Sequence, residues 1–245
     1  MSAPRFYCPP PLPAGNSFEL PPAAAHHAQR VLRLREGDAV QVFDGTGRAL
    51  DGKISTIKGK RVLLHELQTC MDDAESPLRI VLAQALCSNE RMDWVVQKAA
   101  ELGVAEIQPL KAQRSVVKLT AERAEKRVAH WRSVAIAACE QCGRNVLPEI
   151  YSPMEIGEWF AGIRNSEHTK YILQIEGSKP LHKHSAPSGS AILLVGPEGD
   201  FSEDEIKMAH IAGFAPVSLG RRVLRVETAA MAGIAALQTL WGDFS

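Results

Sequence analysis

The sequence predicts an α/β fold in two parts, a small strand-rich domain followed by a larger one built on a mostly parallel sheet. Three observations carry this. Residues 1–72 hold short alternating apolar runs separated by glycine turns. From Pro77 onward, apolar strand segments alternate with amphipathic helical stretches, the pattern of parallel strands joined by helices. At 245 residues the chain exceeds one typical domain, so two unequal domains are expected, 1–72 and 73–245.

In the first part, a proline-rich lead-in precedes a short helix over Ala23–Leu32, with Pro22 placed to open it. AVQVF alternates, DGTG turns, and ALDGKISTI and KRVLLHEL give two more strands, which together suggest a small barrel or sandwich. MDDAESP is acidic and ends in proline, a plausible linker. In the second part LRIVLAQAL reads as a buried strand. Ser88 or Asn89 can cap the following helix, which Gly103 ends. AEIQPL is a strand, and Thr120 caps a long helix to about Cys142, with Gly143 beyond it. Ala124, Val128, Trp131, Ala135 and Ala138 form its apolar stripe at helical spacing. Ser152–Glu155 and Ser202–Glu205 both read as capping boxes. YILQI, AILLV and APVSL complete the strands, EGSKPLHKHSAPSGS reads as a loop, and a last helix runs from about Glu227 to Trp241.

Composition excludes several classes. With 45% apolar and 23% charged residues the chain is too apolar for disorder. No apolar run approaches the roughly 18 residues of a membrane helix, and the first residues lack a secretory pattern. Five irregularly spaced cysteines fit a reducing compartment, so a soluble cytoplasmic protein is expected. Basic and acidic residues balance at 28 each, but local patches bind phosphate and whole-chain sums do not. Two clusters qualify: Arg30, Arg33 and Arg35, and the run from Lys111 to Arg132. Each reads either as a phosphate-backbone contact or as a solvated face.

Two segments lie just past strand ends, where open α/β sheets place ligands. In LLVGPEGDFSEDE, Gly196 and Gly199 let backbone approach a ligand and Pro197 stiffens the loop. In SLGRRVLRVETAA, Gly220 ends a strand and three arginines precede a helix opened by Glu227 and Thr228. Two such loops can sandwich a flat heterocycle; alone, either is also an ordinary strand-to-helix turn. No GxxxxGK[ST] or strand-borne GxGxxG is present. Cys139-Glu140-Gln141-Cys142 has no second cysteine pair and falls in a helical pattern, so no metal site is expected there. His26-His27 reads as a surface or capping pair, and His182 and His184 lack an obvious partner.

GPEGDFSEDE with LGRRVLRVETA resembles the two cofactor-site motifs of the RsmE family, SPOUT-class methyltransferases that use S-adenosylmethionine to methylate N3 of a uridine in 16S ribosomal RNA. The likeness continues in QKAAELGVAEIQPLKAQRS, EQCGRNVLPEI and HHAQRVLRLREGDAVQVFDGTG, so it spans nearly the whole chain. It implies a PUA-like β-barrel over 1–72, and over 73–245 a SPOUT domain whose C-terminal segment forms a trefoil knot. It also implies S-adenosylmethionine as cofactor, no metal, 16S rRNA or the small ribosomal subunit as partner, and a homodimer through the last helix. That helix, TAAMAGIAAL, is rich in small residues that allow close approach of another backbone, within its own subunit or a second one.

Carried over by residue, the cofactor would meet Leu194, Val195, Gly196, Pro197, Glu198, Gly199, Leu219, Gly220, Leu224, Arg225 and Thr228. Arg225 is a candidate to stabilise charge on the uracil, and Glu227 to accept a proton or orient Arg225. Candidate RNA contacts are Arg5, Arg30, Arg33, Arg35, Arg114, Lys118, Arg123, Arg127 and Arg144, the last a candidate to reach a partner's site. One departure stands out: a second glycine usually follows GPEG, and here it is Asp200. Aspartate tolerates a left-handed backbone, so the turn is expected to survive. Two alternatives remain open at this level, a SPOUT ribose methyltransferase acting on tRNA and a non-catalytic RNA-binding protein of ribosome assembly.

Overall fold

The computed structural model describes residues 3–71, 74–117 and 119–244. The expected boundary at 72/73 and the candidate Lys118 lie outside the described residues. The chain divides into two compact units, one reaching to Glu75 and adding Ile136–Leu147, the other comprising Ser76–Ala135 and Pro148–Ser245.

The first unit is a five-stranded sheet of order β1-β3-β4-β5-β2, formed by β1 (Arg5–Tyr7), β2 (Ser17–Glu19), β3 (Ala39–Phe43), β4 (Ala49–Lys58) and β5 (Arg61–Cys70). Only β1 and β3 run parallel. Register shifts at Asp51/Lys53 and Ile54/Thr56 strengthen the local twist of the long β4–β5 hairpin. Pro22 opens α1 (Pro22–His26), which widens into a π-helical turn at His27–Val31. Its Ala24, Ala25 and Ala28 close a core with Phe6, Val40, Val42, Ile54, Val62 and Leu64.

A linear division of the chain does not anticipate that 136–147 belongs here. These residues join by polar backbone pairing rather than by an apolar pattern. Gly45 and Thr46 bridge Val146, the Leu147 N–H donates to the Gly45 carbonyl at 3.0 Å, and the Tyr7 N–H donates to Glu140 Oε1 at 2.9 Å.

The second unit holds an eight-stranded sheet. Its strands are β6 (Arg79–Ala85), β7 (Glu106–Lys111), β8 (Glu149–Ile150), β9 (Met154–Glu155), β10 (Thr169–Leu173), β11 (Lys179–Pro180), β12 (Ser190–Val195) and β13 (Ala215–Ser218). The order is β11-β13-β10-β12-β6-β7-β8, with β9 pairing β7. Every pairing is parallel, so the predicted α/β class is what forms. Central strands covered on both faces read as continuous apolar runs, which is why AILLV and RIVLA lie buried. Connecting helices are α2 (Asn89–Glu101), α3 (Ala121–Cys142), α4 (Ile156–Ile163), α5 (Glu203–Ile211) and α6 (Val226–Trp241). On one face of the sheet Trp159 and Phe160 of α4 pack with Phe214, Ile172, Ile192 and Leu194. On α6, a Cβ at Gly233 would lie 2.7 Å from Leu193 Cδ2, so this small-residue helix seats directly on β12 of its own chain.

The Ser202–Glu205 capping box is present in both directions. The other expected box is not: Met154 and Glu155 pair with Leu110 and Lys111 instead, and α4 starts at Ile156 without a side-chain cap. Ladder bonds and the Lys111–Glu155 ion pair (3.2 Å) outweigh the local capping signal. Ser88 takes the N-cap position of α2, but its hydroxyl makes no cap bond. The expected loop after β10 also carries structure, since β11 pairs β13 and Leu181 is buried in a short 3₁₀ turn.

Candidate functional site

The site follows from strand order. β10 lies between β12 and β13, and all three run parallel, so their carboxyl ends open on the same side. β12 delivers Gly196-Pro197-Glu198-Gly199-Asp200, β13 delivers Leu219 and Gly220, and β10 delivers Gln174 and Ile175. A cavity of about 390 Å³ lies among them. Its apolar lining comes from Leu173, Val195, Val217, Leu219, Val223, Leu224, Val226 and Ala229, and its charged groups from Arg91, Glu198, Asp200, Arg222 and Arg225.

Of the residues carried over for the cofactor, Val195, Gly196, Pro197, Glu198, Leu219, Gly220, Leu224 and Arg225 line this cavity. Three sit elsewhere. Leu194 is fully buried within β12, in register with Ala83 and Ile172. Gly199 faces Arg114, whose Cβ would lie 3.1 Å from a Cβ placed on that glycine. Thr228 is exposed in the first turn of α6. Asp200 adopts φ +60°, the left-handed conformation expected of it. Its N–H donates to the Pro197 carbonyl at 3.0 Å, and its Oδ1 accepts from the Phe201 N–H at 2.8 Å, which pins the turn.

The electrostatics centre on Arg91, which sequence reasoning missed. Its guanidinium lies 2.9 Å from Glu198 of the β12 loop and 3.5 Å from Glu227 in the first turn of α6. Glu198 Oε1 also accepts from the Ser88 N–H at 3.0 Å. Burial alone would raise the Glu198 carboxyl, but the bonds from Ser88 and Arg91 outweigh it and hold the group below the usual carboxylate range. Glu227 Oε2 is shielded from solvent and makes no hydrogen bond among the described residues. Glu227 therefore faces Arg91 and does not bond to Arg225. The Arg225 side chain is exposed at the mouth, at the N-cap of α6. Beneath the site Cys87 is buried, and desolvation pushes its thiol up to about 12.

The arginines expected to meet RNA divide into two groups. Arg30, Arg33, Arg35 and Arg123 are exposed and Arg127 is half-buried; their side chains make no hydrogen bond or ion pair among the described residues. Arg114 instead donates to the Gly199 carbonyl at 3.2 Å and so braces the cofactor-loop candidate. Two others are structural in this chain. Arg5 donates to the Arg144 carbonyl (2.8 Å) and Asn145 Oδ1 (2.9 Å), and its guanidinium stacks 4.9 Å from the Phe43 ring centroid. Arg144 is 3% exposed and grips Glu75 at 2.7 Å, so its guanidinium is not presented to RNA or to a partner. A buried cation needs a fixed counter-charge, and the first unit supplies one. Among the described residues, no group of three or more His, Cys, Asp or Glu could hold a metal ion.

Also missed were Gln174 and Ile175. The rule that ligands sit at strand carboxyl ends applied equally to YILQI, whose last two residues lie just past the end of β10 at Leu173. Arg91 carried none, because its partners lie 107 residues and more away in the chain.

Two family models match in chain order, an RNA methyltransferase PUA domain over residues 20–67 and an RNA methyltransferase domain over 74–238. Fold and site thus define the class, a PUA-bearing RNA methyltransferase. A ribosomal RNA small subunit methyltransferase E from Neisseria gonorrhoeae, solved bound to S-adenosylmethionine, superposes with a TM-score of 0.93 at 41% identity, covering 100% of both chains. A methyltransferase from Legionella pneumophila, also solved with that cofactor, gives 0.94 at 39% identity over 100% of both. The ribosomal RNA small subunit methyltransferase E of Buchnera aphidicola subsp. Acyrthosiphon pisum is 32% identical over 241 residues, covering 98% of this chain and 95% of its own. The chain belongs to the ribosomal RNA small subunit methyltransferase E family.

Proposed function

We propose that this protein is an S-adenosylmethionine-dependent methyltransferase of small-subunit ribosomal RNA, acting on N3 of a uridine in 16S rRNA. One observation carries the reading. The two glycine loops meet at a single cavity in a chain that matches cofactor-bound relatives over its whole length. The cavity suits the cofactor: apolar walls for a heterocycle, a glycine at Gly220 with open space where a Cβ would stand, and carboxylate and guanidinium groups for a zwitterionic tail.

Bound there, the donor supplies a methyl group already activated by its sulfonium charge, so no metal is required. Uridine N3 is a weak nucleophile until its proton leaves. The chain must therefore stabilise negative charge as it grows on the ring oxygens. Arg225 suits that role, being at the mouth of the cavity with no competing carboxylate. Glu227, turned toward Arg91, is better suited to positioning than to proton transfer. The cofactor loops would include 194–199 and 219–225, with 174–175 as a third wall.

The same reading assigns RNA docking to the first unit through Arg30, Arg33 and Arg35, and adds Arg123 and Arg127, all of them basic and without ion-pair partners among the described residues. It places the threaded part of the knot at the segment leading into α6. It makes the protein a cytoplasmic homodimer through α6, which light scattering at micromolar concentration reads directly. No helix among the described residues is long and apolar enough to cross a membrane.

The deciding experiment is methylation of small subunits lacking the modification, followed by nucleoside analysis. N3-methyluridine supports the proposal. A ribose-methylated nucleoside or no transfer at all overturns it.

A further inference from the structure

We propose that Arg91 is a positioning residue that clasps the two cofactor loops together and holds Glu227 at the start of α6. The proposal rests on the reading of the cavity as the S-adenosylmethionine site. Arg91 belongs to neither loop; it projects from the first turn of α2. Its guanidinium nevertheless reaches Glu198 in the loop after β12 (2.9 Å) and Glu227 in the helix after the β13 loop (3.5 Å), while itself lining the cavity. A planar fork with several fixed donors suits bridging of two carboxylates. The relative placement of two chain segments that pass on either side of the ligand is thus set by one side chain.

The two halves of the clasp are not equal. Glu198 has a second anchor in the Ser88 N–H at 3.0 Å. Glu227 has none: its Oε2 is shielded from solvent and makes no hydrogen bond among the described residues, so Arg91 is its counter-charge. Loss of Arg91 leaves a shielded carboxylate uncompensated, and such a group moves toward water. The β13 loop and the start of α6 should therefore loosen, while the β12 loop stays in place.

The test uses the full chain with Arg91→Met, Glu227→Gln and the double variant. Hydrogen exchange of the ligand-free protein should rise at least threefold within residues 219–228 in Arg91→Met and change less than 1.5-fold within 196–200. S-adenosylmethionine affinity by calorimetry should fall about tenfold in Arg91→Met and in Glu227→Gln. The double variant should lose less than twofold more than either single one, because each breaks the Arg91–Glu227 link while Glu198 keeps its Ser88 anchor. Glu227→Gln approaches the pair from its other side and keeps the test open if Arg91→Met does not fold. Equal loosening of both loops, wild-type affinity in the single variants, or additive losses would overturn the clasp. A wild-type chain that binds no S-adenosylmethionine would instead sink the cofactor reading, and the exchange data would still judge the clasp.

Discussion

Gly220 offers a quantitative check on where the cofactor sits. It adopts φ +110°, a conformation that side-chain-bearing residues rarely hold, yet a Cβ built there would meet nothing within 4 Å. Gly220→Ala is therefore free of clash, and its whole cost is backbone strain of about 1–3 kcal/mol. In the free protein the loop can relax and shed that strain. Binding must restore it, so affinity should fall by the energy relieved, roughly 5–150-fold. Gly189 supplies a matched control. It has φ +95° and equally open space, but it lies before β12 and does not line the cavity. Any strain that either variant retains in the free protein lowers its melting midpoint, by roughly 2–4 °C per kcal/mol. Only Gly220→Ala should weaken S-adenosylmethionine binding in calorimetry. Full affinity in Gly220→Ala, or an equal loss in Gly189→Ala, would refute the placement.

Further outcomes follow from other contacts. Arg225→Ala should lower kcat by tenfold or more while cofactor Kd changes less than threefold, because charge on the uracil develops only in the transition state; single-turnover kinetics with a separate Kd measurement checks this. Glu75→Gln should destabilise the protein by about 2 kcal/mol in chemical denaturation, because it weakens the charge-assisted bonds that the largely buried Arg144 guanidinium makes to this carboxylate. Neutralising Arg30, Arg33 and Arg35 one at a time should each reduce the salt dependence of RNA binding by about one unit of slope, read by filter binding across salt concentrations. Cys87 bears on alkaline stability. Burial raises its thiol from 9.0 to about 12, so its contribution is complete below pH 9 and is lost as pH rises toward 12. Cys87→Ala should flatten the fall in stability across that window in thermal melts.

The α/β class and both glycine loops were legible because their causes are local. Strands buried on both faces must be apolar runs, and turns that tolerate close approach must carry glycine, so AILLV-GPEG and APVSL-G announce themselves. The Ser202 capping box is equally local, closing over four residues. What escaped detection depends on distant partners. Arg91 looks like any helical surface arginine until the fold brings Glu198 and Glu227 to it. Met154-Glu155 carries a helix-start pattern that parallel pairing with β7 overrides. Arg144 sits in a run resembling an RNA-binding family's motif, yet its partner Glu75 lies 69 residues earlier in the chain. Charge type was readable in each case; direction was not.

The discontinuity of the first unit has a consequence in time. Its sheet is complete in sequence by Cys70, yet the residues that bridge Gly45, cap Tyr7 and enclose Glu75 arrive only with 136–147. A nascent chain emerging at roughly 5–20 residues per second must therefore hold that surface open for several seconds. During that interval the fully synthesised β1–β5 sheet lacks the Val146 bridges to Gly45 and Thr46, while α3 is still being made. A chain cut at residue 76 would make the delay permanent on both sides, leaving Gly45 and Thr46 without their bridges to Val146 and Glu140 without the Tyr7 N–H. Separating the two units requires moving 136–147 along with the first 75 residues.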